Sequence, residues 1–229
     1  CHGAWCWEAV AEELSARGHR VVAMDLPGHG RRAREYARAS VGSYTRAVLD
    51  AMALEGISRG IVVGHSMAGL VIPKVAELAP DRVAHLVFLA AVAVPHGGNL
   101  YETHLTLPIR AMMQGLAHGR GNGTYRYPAE TAWARWMNDL PRHHPAVQAA
   151  LPRLTPQPLR PWLERLDLRR FYAMTVPRTY IRCLKDVAVT PDQALAYAER
   201  LGVRPVDMDA AHDVMLSAPE AVTRVLERV

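Results

Sequence analysis

Residues 60–69 decide the fold of this chain, and they read Gly60-Ile61-Val62-Val63-Gly64-His65-Ser66-Met67-Ala68-Gly69. Gly60 to Gly64 form a short apolar run with β-branched residues, which predicts a buried strand. The stretch from Met67 to Leu78 then predicts a helix. Because strand and helix are separated by so few residues, Ser66 lies in a sharp turn that exposes its hydroxyl.

The residues beside Ser66 fit the nucleophile-elbow motif, in which small residues leave room on both sides of a reactive serine. Gly64 provides this room two residues before Ser66, and Ala68 stands two residues after it, where Gly is usual. A methyl group is the smallest departure from the pattern. The alternative is an ordinary small-residue turn that carries a serine. The backbone N–H of Met67, directly after the serine, is the expected donor to an oxyanion.

A serine hydroxyl is a weak nucleophile and needs a base that a third group orients. In this arrangement the chain order is Ser, then an acid, then His in a loop after the last strand. His212 fits, because it follows a predicted strand, Val203 to Met208, and precedes a predicted closing helix, Pro219 to Val229. No other histidine of the chain occupies such a place.

The preferred acid is Asp186, which follows a predicted strand from Thr179 to Cys183. Asp192 is the second choice, since a carboxylate at the start of the predicted helix Pro191 to Leu201 has an ordinary capping role. The remaining late aspartates lie too close to His212 along the chain, and they are Asp207, Asp209 and Asp213.

Strands and helices alternate along most of the chain, which predicts an α/β fold with a mostly parallel sheet and helices on both faces. Further strands are predicted at Val21–Met24 and Val83–Ala90, and further helices at Trp7–Arg17 and from an N-cap at Ser43 to Glu55. The alternation stops between residues 95 and 175. We therefore expect a core formed by residues 1–94 and 176–229, with residues 95–175 as a helical cap insertion above the carboxyl edge of the sheet.

Composition excludes several classes of protein. Half of the 229 residues are hydrophobic and 21% are charged, so the chain is neither disordered nor low in core-forming residues. The net charge of +5 comes from arginines scattered along the chain, which does not favour nucleic-acid binding. No apolar run reaches the roughly 20 residues of a membrane span. Three cysteines are too few for a disulfide scaffold, so a reducing, cytoplasmic location is expected.

Two other motifs carry little weight. His143 and His144 are adjacent in a Pro-rich segment with no third ligand, which favours a surface position over a metal site. The Gly-rich stretch from Gly119 to Gly123 follows no predicted strand, so it does not indicate a dinucleotide site. We therefore expect no metal and no cofactor, and the sequence leaves the oligomeric state open.

These motifs together resemble the α/β-hydrolase superfamily, and most closely the methylesterase and hydroxynitrile lyase group with its bacterial esterase relatives. The resemblance spans nearly the whole chain, and the cap matches least. It rests on these segments: Cys1-His2-Gly3-Ala4-Trp5-Cys6-Trp7, Gly18-His19, Asp25-Leu26, Gly64-His65-Ser66, Leu154-Thr155-Pro156-Gln157-Pro158-Leu159, Tyr180-Ile181, Lys185-Asp186 and Ala211-His212-Asp213-Val214-Met215-Leu216.

The resemblance implies a nucleophile at Ser66, a base at His212, an acid at Asp186 and an oxyanion donor at Met67. It also implies an upstream strand, ending in His-Gly-Ala, whose Ala donates the second oxyanion N–H. The natural protein is therefore expected to have about ten more residues before Cys1, enough for a strand and its turn. The lyases of the group carry Lys directly after the catalytic His, where this chain has Asp213. A carboxylate there argues against cyanohydrin cleavage.

The predicted function is hydrolysis of a small or medium carboxylic ester through an acyl-enzyme on Ser66. Apolar and aromatic residues of the cap indicate that the ester has an apolar or aromatic portion. They are Leu105, Leu107, Ile109, Met112, Met113, Leu116, Tyr125, Tyr127, Trp133, Trp136 and Met137. No group of Arg or Lys is placed in the pocket by sequence alone, so an acidic substrate is not predicted. Two alternatives stay open, a non-hydrolytic enzyme of elimination or cyclisation and a receptor-like ligand-binding protein.

Overall fold

The computed structural model describes the backbone of residues 1–119 and 122–229 and the side chains of residues 1–115 and 122–229. Part of the Gly-rich stretch, Arg120 and Gly121, and the side chain of Leu116 therefore lie outside the described residues. Within them there are six strands: β1 Gly60–His65, β2 Val83–Leu89, β3 Thr124–Tyr125, β4 Gln157–Pro158, β5 Arg178–Cys183 and β6 Val206–Met208.

The main sheet has the strand order β1-β2-β5-β6, and every neighbouring pair in it is parallel. Parallel neighbours need crossover connections, and helices supply them here. The helices of the described residues are α1 Glu8–Ala16, α2 Val41–Leu54, α3 Ile72–Leu78, α4 Leu100–His104, α5 Leu107–Gly119, α6 Ala129–Trp136, α7 Pro145–Ala150, α8 Arg160–Leu163, α9 Arg169–Ala173, α10 Pro191–Arg200, α11 Val214–Ser217 and α12 Pro219–Leu226.

Hydrophobic cores lie on both faces of the main sheet. Alternate residues of β2 point to opposite faces, so Leu86 and Phe88 join one buried cluster while Val87 and Leu89 join the other. The first cluster includes residues of α2, α3 and α10, and the second includes residues of α1 and α12. This arrangement confirms the predicted α/β fold.

The stretch between β2 and β5 holds α4 to α9 and a small antiparallel ribbon formed by β3 and β4. Gln157 of β4 is almost fully buried, and Trp162 of α8 is buried in the first core cluster. This stretch therefore packs against the main sheet through buried side chains such as Trp162. Its division from the core as a separate cap stays a prediction.

One predicted strand does not form: Val21 to Met24 has no regular secondary structure. These residues line the same cavity as Gly60 to Val63 of β1. An extended segment counts as a strand only when hydrogen bonds pair it with a neighbour. The β-branched residues of 21–24 favour an extended backbone, but they do not determine whether a neighbouring strand pairs with this segment.

Other boundaries also differ from the predicted ones. The N-cap of α2 is Ser40 and not Ser43, because the Ser40 side chain accepts from the Ser43 N–H while the Ser43 hydroxyl accepts from the Ser40 N–H. This reciprocal pair of hydrogen bonds is a capping box. The sequence pattern predicted Ser43 as the cap, whereas Ser43 is the other member of the pair. The last strand begins at Val206 rather than Val203, and the closing helix ends at Leu226.

The helix after β1 is also divided. A 3₁₀ turn spans Ser66–Leu70, and α3 begins at Ile72. The backbone of this turn lies against the segment after β2, so that a Cβ built on Gly69 would lie 1.9 Å from the carbonyl oxygen of Val92. Gly69 is therefore required for this close approach, whereas Ala68 two residues after Ser66 is tolerated.

We predict that Gly69→Ala destabilises the protein strongly, while Gly115→Ala does not. The added methyl at position 69 would overlap the Val92 backbone, which has no flexible end to move away, so the free energy of unfolding should fall by about 3 kcal/mol or more. Gly115 lies exposed in α5 with nothing within 4 Å of a built Cβ, so its replacement should raise that free energy by about 0.5 to 1 kcal/mol. Urea denaturation of the three proteins checks this, and equal stabilities would contradict it.

Candidate active site

The sharp turn after β1 places Ser66 in an uncommon backbone conformation. Its φ is +54°, in the left-handed region that residues with a Cβ rarely adopt. The Val92 N–H donates to the Ser66 carbonyl oxygen at 3.0 Å, which fixes the turn from the neighbouring segment. A Cβ at Gly64 would lie 2.8 Å from the Ile72 side chain, so the residue before the turn must also be small. Strained conformations of this kind cluster at functional sites, where the surrounding structure holds them.

The structure brings the three residues Ser66, His212 and Asp186 into one hydrogen-bonded chain. The Ser66 hydroxyl lies 2.9 Å from His212 Nε2, and His212 Nδ1 lies 2.6 Å from Asp186 Oδ2. His212 is carried by the loop after β6, and Asp186 by the loop after β5. These loops meet Ser66 because the carboxyl ends of parallel strands lie at one edge of the sheet.

Asp186 is fixed by two hydrogen bonds in addition to the one with His212. Its second oxygen, Oδ1, accepts from the backbone N–H groups of Ala188 at 2.6 Å and Val189 at 2.9 Å. The other acids considered from the sequence lie elsewhere. Asp192 is in the first turn of α10, and the two exposed acids Asp207 and Asp209 pair with Arg182 and Lys185.

The electrostatics of His212 combine opposing effects. Burial by itself lowers the pKa of the imidazole, but the charge and hydrogen bond of Asp186, together with the charge of Asp213, more than offset it. The net result is a pKa raised above the ordinary 6.5 of histidine. Asp213 is itself 1% exposed, and one of its oxygens accepts from His2 Nε2 at 2.8 Å. Its other oxygen, Oδ1, has no hydrogen-bond partner among the described residues.

A third histidine completes this environment. His65 Nε2 donates to the backbone oxygen of His212 at 3.0 Å, and its ring centroid lies 4.6 Å from that of His212. Burial, with the nearby charges of His212 and His2, holds the pKa of His65 well below its ordinary value, so this ring is neutral. Ligand atoms of His65, His212 and Asp213 lie within 4.8 Å of one another. Since both ring nitrogens of His212 already bond to Ser66 and Asp186, a metal ion there would have to break that chain.

Met67 lies at the start of the 3₁₀ turn, where backbone N–H groups have no partner within the turn. Its sulfur is contacted from the cap stretch: Trp162 Nε1 donates to it at 2.9 Å and Gln157 Nε2 at 3.4 Å. Gln157 Oε1 in turn accepts from the backbone nitrogen of Cys1 at 2.8 Å. The residue after Ser66 is therefore fixed by side chains from a part of the chain about ninety positions away in sequence.

Ser66 and His212 open into a cavity of about 730 Å³. Its lining includes three of the apolar cap residues expected from the sequence, Leu105, Tyr127 and Trp136. Of the others, Met113 and Met137 are buried and Leu107 and Met112 are exposed. Among the lining residues that the sequence reasoning missed are Leu100, His104, Arg135 and Trp162. Adjacent helix positions point about 100° apart, so the sequence of α6 carries no signal that Arg135 lies beside Trp136 in the cavity.

The three cysteines are free and buried. Cys1 and Cys6 line the cavity, while Cys183 lies in the second core cluster. Burial raises the pKa of the Cys6 thiol and of the Cys183 thiol, so neither is an activated nucleophile. His144, one of the adjacent histidines, accepts from the Ala146 N–H as the N-cap of α7.

Comparison with known proteins identifies the family. Residues 1–225 match the family described as the alpha/beta hydrolase family. The chain belongs to this family.

Relatives of this chain are named as esterases, from plants, and as a pyrethroid hydrolase, from a bacterium. The chain is 31% identical to the pyrethroid hydrolase of Sphingobium wenxiniae over 96% of its length and 81% of that protein, and 27% identical to Methylesterase 7 of Arabidopsis thaliana over 99% and 91%. A match of 39% identity to Esterase PIR7B of rice covers 51% of the chain, which spans less than half of that relative's length, 43%. These matches confirm the resemblance to the methylesterase group and its bacterial relatives.

The fold is shared with solved structures as well. An extracellular alpha/beta-hydrolase from a Paenibacillus species superposes with a TM-score of 0.89 at 24% identity, covering 99% of this chain and 96% of that one. At this identity the likeness concerns the fold alone. Among the described residues, none of the helices is both long and apolar enough to cross a bilayer.

We predict that, in the ester hydrolysis proposed for this chain, Asp213→Asn shifts the pH dependence to lower pH. The base must be neutral, so kcat/KM rises with pH through the pKa of His212. That pKa is raised in part by the Asp213 charge, and removing the charge lowers it. The midpoint of the kcat/KM profile should then move down while the shape of the residue is kept.

The matched control is Asp209→Asn, on the same loop. The Asp209 carboxylate is exposed and pairs with Lys185, so its loss should leave the midpoint in place. If Asp213→Asn and Asp209→Asn behave alike, Asp213 does not tune His212.

Proposed function

We propose that this protein is a serine hydrolase that cleaves a small or medium carboxylic ester with an apolar or aromatic portion, through an acyl-enzyme on Ser66. The relatives named as esterases support the general reaction, ester hydrolysis. The observation that carries the proposal is the hydrogen-bonded chain from Ser66 Oγ through His212 to Asp186. A hydroxyl, an imidazole and a buried carboxylate in this order are the parts of a serine hydrolase triad.

In the first step, Ser66 Oγ forms a bond to the ester carbonyl carbon while its proton passes to His212 Nε2, which lies 2.9 Å away. The imidazole becomes a cation. Asp186 stabilises this cation and keeps the proton on Nδ1, so that Nε2 is free to accept. Two backbone N–H bonds to Asp186 Oδ1 hold the carboxylate in place during the step.

The electron pair of the carbonyl bond moves to its oxygen, and the Met67 N–H is the proposed donor to this oxyanion. The intermediate collapses when the bond to the alcohol oxygen breaks and His212 Nε2 gives that oxygen its proton. A water molecule then loses a proton to His212 and attacks the acyl carbon, and the acid is released when the bond to Ser66 Oγ breaks and His212 returns the proton to that oxygen.

The cavity supports an apolar or aromatic portion in the ester. Leu100, Leu105, Tyr127, Trp136 and Trp162 line it beside Ser66 and His212. The rings of Tyr127 and Trp136 lie 4.7 Å apart, so they present a joined aromatic surface. The free cysteines fit the reducing, cytoplasmic location that we expect for the protein.

We predict that Ser66→Ala lowers kcat/KM by about 10³-fold or more on the best substrate in a panel of methyl, acetyl and aryl esters. The loss follows because no other group replaces the attacking oxygen. Ser217→Ala is the matched control, since Ser217 lies in α11 and does not line the cavity. Equal activity of the wild type and Ser66→Ala would contradict the proposal.

A second measurement separates hydrolysis from the two alternatives. A fluorophosphonate should form a covalent adduct on Ser66, seen by mass spectrometry, and the same protein should turn over p-nitrophenyl acetate. An adduct without turnover of any ester in the panel would favour elimination, cyclisation or ligand binding in the same cavity.

A further inference from the structure

Arg135 is a cation in the active-site cavity for which no carboxylate is provided. It lies in α6 and lines the cavity together with Ser66 and His212. Among the described residues, no Asp or Glu oxygen comes within the 4.0 Å of an ion pair with its guanidinium. Its one recorded contact is weak, from Nη2 to the backbone oxygen of Ala188 at 3.5 Å.

The carboxylates nearest to Arg135 along the chain are bonded elsewhere. Glu130, at the start of the same helix, pairs with Arg142 at 2.8 Å. Asp139, four residues after Arg135, accepts from the Ala211 N–H at 2.9 Å. An arginine at the surface of a pocket that is not paired by its own helix is free to bind an anion that enters the pocket.

The contact with Ala188 also places Arg135 close to the reacting groups. Ala188 is two residues after Asp186, and its N–H donates to Asp186 Oδ1 while its oxygen lies against Arg135 Nη2. The guanidinium charge is felt at His212, where it acts to lower the pKa of the imidazole. Arg135 thus lies beside the loop that carries the acid, on the cavity side.

The neighbours of Arg135 in the cavity are neutral near pH 7. Burial lowers the pKa of His104 to about 4, and its Nε2 donates to the same Ala188 oxygen at 3.0 Å. Burial likewise raises the pKa of Tyr127 to about 12. Asp213, the buried acid behind His212, does not line the cavity and is hydrogen-bonded to His2. At the end of the cavity near Ser66, Arg135 is therefore the side chain that would attract an anionic group of a substrate.

The other charged side chains of the lining lie towards the opposite end or are paired. Arg20 pairs with Glu55, and Glu227 pairs with Arg17. Arg59 precedes β1, whose six residues separate it from Ser66 by about 20 Å. No described carboxylate of the lining therefore competes with a substrate anion near Ser66.

We propose that Arg135 binds a carboxylate of the substrate, so that the preferred substrates are esters that also carry a free carboxylate, such as the monoesters of dicarboxylic acids. This inference rests on the proposed ester hydrolysis for its reaction and on Arg135 for its specificity. The apolar surface around Tyr127 and Trp136 would contact the chain between the ester and the carboxylate. A planar guanidinium can bind both carboxylate oxygens at once, which also fixes the direction in which the substrate enters.

The test compares two esters that differ by a charge and one methyl group, the p-nitrophenyl monoester of glutaric acid and the p-nitrophenyl ester of its methyl monoester. The wild type should favour the anionic ester by about tenfold or more in kcat/KM. In Arg135→Gln that ratio should fall by about 10- to 100-fold, and Arg135→Lys should retain part of it. Arg142→Gln removes a cap arginine that does not line the cavity and should leave the ratio within twofold of wild type.

A wild type without preference for the anionic ester, or a ratio in Arg135→Gln within twofold of wild type, would overturn the inference. Calorimetry of free glutarate binding to the wild type and to Arg135→Gln tests the anion site independently of the proposed ester hydrolysis. If no ester is hydrolysed but glutarate binds only when Arg135 is present, the anion site stands and hydrolysis fails. If neutral esters are hydrolysed through Ser66 and glutarate binding is the same in both proteins, hydrolysis stands and the anion site fails.

Discussion

The turn at Ser66 is the constraint on which the rest of the site depends. A residue with a Cβ is held at φ +54° at the end of β1, and this conformation persists only because its surroundings leave no other. Gly64 and Gly69 allow Ile72 and the Val92 backbone to approach it from two sides, and the Val92 N–H bonds to the serine carbonyl. The Ser66 hydroxyl is thus held in place by the packing of a strand, a helix and the segment after the next strand.

The charged groups near Ser66 are placed by the parallel strands of the main sheet. The parallel strands β5 and β6 end beside β1 and β2, so the loops after them bring Asp186 and His212 to Ser66. Burial alone would lower the pKa of His212, and two acids reverse that effect: Asp186 by contact and Asp213 by charge. Asp213 is buried, and its Oδ1 has no hydrogen-bond partner among the described residues. A buried carboxylate with an unsatisfied oxygen is costly, which fits a role for Asp213 in setting the charge at His212.

Much of this could be predicted from the sequence because it depends on local patterns. The apolar run Gly60 to Gly64, the serine after it, and an aspartate and a histidine directly after two late strands identify the positions that meet. The strand expected at Val21 to Met24 did not form, since pairing is a property of the neighbour and not of the segment itself. Gly69 was not recognised as the required glycine, because its contact, the Val92 carbonyl, lies more than twenty residues away along the chain. The cap was the least predictable part, since which face of a short helix meets the cavity depends on tertiary packing.

Arg135 is a residue whose place in the cavity depends on tertiary packing and could not be predicted from the sequence. In the sequence it is one of many scattered arginines, and the scatter argues against a nucleic-acid surface. Scatter along the chain does not decide which arginine the fold places in a pocket. The fold gives Arg142, another arginine of the stretch between β2 and β5, a partner in Glu130, and it leaves Arg135 beside the Asp186 loop with a weak backbone contact. Arg135 is half-buried and has no carboxylate partner among the described residues, so it gives up part of its hydration without a compensating charge, and an anionic ligand would supply that charge.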